Sequence, residues 1–158
     1  MDNSNLAGPY LTFRLHKETF AVSVKKVREV LEYAPITKVP RTPEHMLGVI
    51  NLRGSVVPVM DLGIKFGLGS RPVNDDTGIV VMEVGVGGET VILGTVVDGV
   101  EEVVELSETD IQPPPPMGSR LETQFLLGLG QRENRFLMLL EMDNIFSYSD
   151  VIKLEEGE

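Results

Sequence analysis

The chain has 158 residues, enough for one ordinary domain or two small lobes sharing a core. Its 14 Lys+Arg against 24 Asp+Glu give a net charge of −10, the wrong sign for a phosphate-gripping surface, while 42% apolar residues are too many for a disordered acidic chain. The absence of cysteine excludes disulfide scaffolds, thiolate metal sites and cysteine nucleophiles.

No apolar run approaches the ~20 residues that span a bilayer, and the N-terminus lacks the pattern of a signal peptide, so a soluble cytoplasmic protein is expected. The apolar residues include 21 Val and 8 Ile but only 3 Ala, a bias toward pleated, half-buried surfaces over helices. Sixteen Gly and ten Pro punctuate them, which predicts many short strands in a barrel or sandwich.

In chain order, residues 1–8 read as a loose lead-in, Tyr10–Leu15 as a strand, His16–Thr19 as a turn and Phe20–Val24 as the returning strand. From Lys25 to Tyr33, Val27, Val30 and Leu31 stand at i, i+3 and i+4, which predicts one or two helical turns passing into a strand. Thr42-Pro43-Glu44 reads as the capped start of a short helix ended by Gly48. Two apolar runs flank Asn51–Gly54, and Pro58 inside the second marks an edge or a bulge. Residues 69–78 form a polar loop, and Ile79–Val86 pairs with Thr90–Val97 across Gly87-Gly88. A Val-rich stretch then runs to Leu106, Pro113–Pro116 enforces an extended connector, and Phe125–Leu129 pairs with Arg135–Met142. Asp143 is expected to cap a short helix through Tyr148, and residues 155–158 to fray.

The chain also shows a weak internal repeat. Lys26–Glu32 matches Gly99–Glu105 in pattern, the same offset brings Pro40 onto Pro113 and Pro43 onto Pro116, and Leu47-Gly48-Val49 resembles Leu127-Gly128-Leu129. Val59-Met60-Asp61 aligns with Glu141-Met142-Asp143 when small gaps are allowed. The expected architecture is mainly β, with short helices and two similar lobes from about 10–67 and 79–146 in a single domain spanning 1–158.

Catalytic chemistry finds little support. His16 and His45 have no second ligand at metal spacing, Asp75-Asp76 lacks the alternating oxygens of a calcium loop, and Gly85–Gly88 reads as a hairpin turn. No catalytic residue, cofactor or metal is predicted. Three features invite a partner: the Val24/Val27/Val30 ridge, Arg53 beside Gly54, and the acidic string from Asp98 to Asp110. By default the ridge is core, the arginine an ion pair or solvated tip, and the string a wet strand face.

The string Gly48-Val49-Ile50-Asn51-Leu52-Arg53-Gly54, followed by Val56-Val57-Pro58-Val59-Met60-Asp61-Leu62, closely resembles the CheW-like family of bacterial chemotaxis coupling proteins. Tyr10–Phe13, Val27–Val30, Ile36–Pro40, Val97–Val100 and Leu127–Leu129 add weaker matches in the same order, so the likeness covers about 10–147. The resemblance implies two SH3-like β-barrel lobes over a common core. It also implies a non-enzymatic adaptor between the cytoplasmic tip of a methyl-accepting chemoreceptor and the regulatory domain of the chemotaxis histidine kinase. Receptor state would then control autophosphorylation within an array at the inner face of the membrane, with no direct insertion and no nucleic acid.

By the same resemblance, Leu11, Val24, Val27, Val30, Gly48 and Val100 would form the receptor groove, and Glu29 and Arg53 an ion pair bracing it. Kinase contact would come from like lobes meeting edge to edge. Gly63 departs from the basic residue usual after Asp-Leu, and the four prolines at 113–116 are unusual. The same domain in a surface-motility system is the nearest alternative. A β-barrel ligand-binding module or a hydrolase of scattered carboxylates is more remote.

Overall fold

The computed structural model describes residues 5–114 and 123–146. A first hairpin, β1 (Gly8–Leu15) and β2 (Glu18–Ser23), leads through a 3-10 turn at Val24–Lys26 into β3 (Val27–Glu32). A second hairpin, β4 (Met46–Leu52) and β5 (Ser55–Asp61), ends in the one-turn helix α1 (Leu62–Lys65). The second half begins with β6 (Gly78–Val86), β7 (Glu89–Val97) and β8 (Gly99–Leu106). It continues with the short β9 (Ile111–Gln112), the hairpin β10 (Leu126–Arg132) and β11 (Arg135–Leu140), and α2 (Met142–Ile145).

The fold is mainly β, with two sheets and very short helices. One sheet has the order β8-β1-β2-β11-β10-β9, the other β3-β6-β7-β5-β4. If β1, β2 and β3 are matched to β6, β7 and β8, and β4–β5 to β10–β11, the second order becomes the first, with β9 added at its edge. Thr37, bridged to Val49, takes the place of β9 in the smaller sheet. Each sheet therefore receives the opening hairpin of one half between strands of the other: β1–β2 between β8 and β11, and β6–β7 between β3 and β5.

Burial follows this interleaving. A shared core lies between the sheets, where Leu11, Phe13, Leu15 and Phe20 meet Val80, Met82, Val84 and Leu93. Rings of Phe13, Phe20, Phe66 and Phe125 run through it at centroid spacings of 5.6–6.2 Å. The opposite face of each sheet has its own cluster, Tyr10, Ala21, Val104 and Leu139 in one and Ile50, Val59, Ile79 and Val96 in the other.

Several local expectations need correction. The predicted helix at Thr42–Gly48 is a turn: the Thr42 hydroxyl donates to the carbonyls of Val39 and Met46, the Met46 N–H donates to Pro43, and β4 has already begun at Met46. The α2 cap is Glu141, whose carboxylate accepts from the Asp143 N–H; the helix predicted to Tyr148 ends at Ile145, with Phe146 as its extended C-cap, and Ser147 and Tyr148 lie outside the described residues, as do Pro115 and Pro116. Asp61 caps α1 in the same way, accepting from the Ile64 N–H. Register pairs Met46 with Met60 and Leu126 with Leu140, so Asp61 corresponds to Glu141, two residues from the sequence alignment. Pro58 sits inside β5 one residue before pairing with β7 starts at Val59, where no ladder partner asks for its missing N–H.

The helical spacing at Val27/Val30 has a different origin. Val27 lies opposite Met82 and Glu29 opposite Val81, so Arg28 is an extra residue in a β-bulge. The bulge turns an i, i+3 pair onto one face of a strand. The same occurs in β8, where Val100 faces Phe13 and Val103 faces Leu11, leaving Glu101 and Glu102 against Thr12 alone. The buried Thr12 hydroxyl closes that gap, donating to the Glu102 carbonyl at 2.8 Å and accepting from its N–H at 3.0 Å. Thr12→Val should therefore cost about 1–3 kcal/mol in urea unfolding by orphaning both backbone groups, with Thr12→Ser recovering most of the loss.

Candidate functional site

The bulged strands are the edge strands of their sheets, and they open onto the same side of the shared core. A Cβ on Gly78 would lie 3.3 Å from the Leu31 carbonyl oxygen and 3.6 Å from Val100, which places the start of β8 over the end of β3. Val27 and Val30 face the shared core from one side, Val100 and Val103 from the other. Val24, Val27 and Val100 are half-buried and pack onto that core, and Leu11 is buried beneath Val103. Val30 and Val103 stay 46% and 58% exposed.

The result is an apolar trough whose floor is core and whose lips are valines. Among the described residues no group of three or more His, Asp and Glu could hold a metal ion. Such a trough can bury the apolar stripe of a partner segment.

Five of the six groove residues expected from sequence come together here. Gly48 does not. It lies on β4, the far edge of the smaller sheet, where a Cβ would sit 2.0 Å from the Thr37 carbonyl oxygen. Its positive φ of 146° and that close approach both require glycine. Val103 escaped the sequence reading, although the repeat that aligns Val27/Val30 with Val100/Val103 carried the signal.

Glu29 and Arg53 do pair, at 2.5 Å, but from the other face of β3. Arg53 and Gly54 both have positive φ in the β4–β5 turn, and Asn51 accepts the Gly54 N–H, so the guanidinium is held out at the tip. The pair links edge strand β3 to the turn at the opposite edge, curling the smaller sheet. Arg53 is 73% exposed, which makes this a solvated bridge, not a buried one. Hydrogen bonding and charge from Glu29 hold the Arg53 pKa above its ordinary value.

Comparison with known proteins gives the family. The CheW-like domain profile matches residues 9–150. The chain is 33% identical to the chemotaxis protein CheW of Klebsiella aerogenes, covering 94% of this chain and 90% of that one. It is 35% identical to the probable chemotaxis protein CheW of Rhizobium etli, covering 89% and 88%. The crystal structure of the scaffolding protein TtCheW from Thermoanaerobacter tengcongensis superposes with a TM-score of 0.80 at 33% identity, covering 91% and 90%. The chain belongs to the CheW-like domain family.

Gly63, the departure noted within the Asp-Leu string, has a structural counterpart. A Cβ there would lie 2.0 Å from the guanidinium of Arg71, which reaches in from the loop between α1 and β6. Arg71 is 8% exposed and donates through Nε to Asp98 at 2.9 Å and through Nη1 to Asp61 at 2.8 Å. Burial pulls its pKa down, but hydrogen bonds and charge from Asp61 and Asp98 outweigh that and leave it raised. Asp98 also accepts the His16 N–H at 2.6 Å, so this one cation ties together α1, the β7–β8 corner and the first hairpin. The two arginines should separate in thermal unfolding. Arg71→Met leaves Asp61 and Asp98 uncompensated and should cost roughly 3–5 kcal/mol, whereas Arg53→Ala should leave the midpoint unchanged.

Proposed function

We propose that the chain is a chemotaxis coupling adaptor that works without catalysis. Its trough takes the helical cytoplasmic tip of a methyl-accepting chemoreceptor, and its hairpin tips meet the regulatory domain of the chemotaxis histidine kinase. The observation that carries the reading is the exposed pair Val30 and Val103 on two bulged edge strands over an apolar floor. A helical hairpin presents apolar residues at a spacing such a trough can bury, and burial of a few central side chains supplies most of the affinity.

The kinase-facing surfaces follow from the repeat. Val56 on β5 and Phe136 on β11 occupy equivalent places at the tips of the closing hairpins, and both are exposed. Beside Val56 lies a depression of about 560 Å³ lined by Leu52, Arg53, Pro58, Val91 and Ile92. A kinase domain built from similar lobes would meet such tips edge to edge, like lobe against like lobe. Receptor binding at the trough and kinase binding at the tips leave both partners bound at once, which an adaptor requires. The protein would work at the inner face of the membrane because its receptor is there; among the described residues no helix is long and apolar enough to cross a membrane.

The reading is tested by retention on immobilised receptor cytoplasmic fragment and on immobilised kinase regulatory domain. Val30→Asp with Val103→Asp should weaken receptor binding at least about tenfold and leave kinase binding intact. Val56→Asp should do the reverse. These side chains are already exposed, so thermal midpoints should not move. If the unsubstituted protein bound neither partner at low salt, the assignment would fall; if both substitutions bound normally, the trough and tip would be misplaced.

A further inference from the structure

The segment 66–77 is the single covalent link between the strands of the first half, β1–β5, and those of the second, β6–β11. Neither half completes a sheet. β1–β2 needs β8 and β11, and β6–β7 needs β3 and β5. Tyr10 and Ala21 share a cluster with Val104, Leu137 and Leu139 of the other half, and Ile50 and Val59 share one with Ile79 and Val96.

Every one of these contacts would survive if the second half came from another copy. Only the link would have to change path. It leaves the end of α1 through Gly67 at φ 81°, where the Gly67 and Leu68 N–H groups donate to the Ile64 and Gly63 carbonyls. It has Gly69 at the same φ, carries exposed Leu68 and Val73, and has no strand pairing of its own.

We infer that segment 66–77 is a hinge through which two copies exchange halves, giving a closed two-fold dimer. In that dimer each shared core, and each trough between β3 and β8, is assembled from two chains. Exchange of identical elements adds no new interface to evolve, so its cost lies in the hinge and in association. The single chain is favoured at low concentration because its own second half is always near, at an effective concentration on the order of millimolar.

Arg71 latches the closed hinge. Its guanidinium holds Asp61 of the first half and Asp98 of the second and donates to the Gly69 carbonyl within the hinge, while the His16 ring pairs with the Leu68 carbonyl at 3.0 Å. None of these groups belongs to a strand ladder between the halves except Asp61, whose backbone stays in β5. Releasing the latch therefore loosens the hinge without removing the pairings that an exchanged dimer reuses.

The absence of cysteine makes the exchange directly readable. Leu11 and Val103 are register partners from opposite halves, so Leu11→Cys with Val103→Cys forms a bridge within one chain in the monomer and between two chains in the exchanged dimer. The doubly substituted protein would be unfolded in urea, refolded at about 10 μM and about 1 mM, oxidised, and mapped by peptide analysis. The expected result is an interchain 11–103 linkage whose fraction rises several-fold with refolding concentration, and rises further at fixed concentration with Arg71→Ala. Unsubstituted protein refolded in parallel should show a dimer by size exclusion that survives dilution, which keeps the test decisive if the cysteine variant folds poorly. Linkage within single chains at every concentration, or monomer alone from the unsubstituted protein, would overturn the inference.

Discussion

The reciprocal insertion of hairpins is the constraint on which the rest of the structure depends. Two-stranded ribbons are marginal alone because they cannot cover both of their faces. Here each opening hairpin is flanked on both sides by strands of the other half, so its backbone groups are paired and both faces are buried. The shared core then forms where the two inserted hairpins face each other, and Phe13, Phe20 and Met82 are buried there with almost no exposure. A lobe of either half by itself would expose an apolar face and a free edge.

Insertion leaves β3 and β8 as edge strands, and the trough opens between these edges. An exposed, flat apolar edge invites indiscriminate pairing. Each of these strands carries a bulge, which breaks the ladder and rotates two valines toward the shared core. The two bulges are satisfied differently. Thr12 fills the gap in one with its hydroxyl, while in the other Arg28 projects outward and pairs with Glu83. A single extra residue per edge thus turns a liability into a shaped trough.

Electrostatics divide into clasps and trim. Arg71 with Asp61 and Asp98 is buried and holds elements from both halves. Lys26 with Asp143 performs the related task at the other end, and Asp143 also accepts the Gly85 N–H at 2.8 Å, much as Asp98 accepts that of His16. The two halves reach the same junction with unrelated residues, which explains why no sequence alignment links these contacts. Glu29 with Arg53 and Arg28 with Glu83 are exposed and set the charge around the depression beside Val56. With each arginine matched by a glutamate, this rim is locally balanced within a chain of net charge −10.

The sequence by itself determined the class of fold, most strands and the turns between them, because alternation of valines and glycine-rich turn dipeptides act within a few residues. Gly87-Gly88 and Arg53-Gly54 specify their hairpins without tertiary help. The family string around Asn51–Gly54 was equally legible. Tertiary structure alone decided which half supplies each strand of a sheet, since register and partner are non-local choices that composition does not record. It also decided that the three-residue spacing of Val27 and Val30 is a bulge instead of a helix, that Val103 joins them, and that Arg71 fills the space beside Gly63. In each case two segments far apart in the chain had to meet before either side chain had a role.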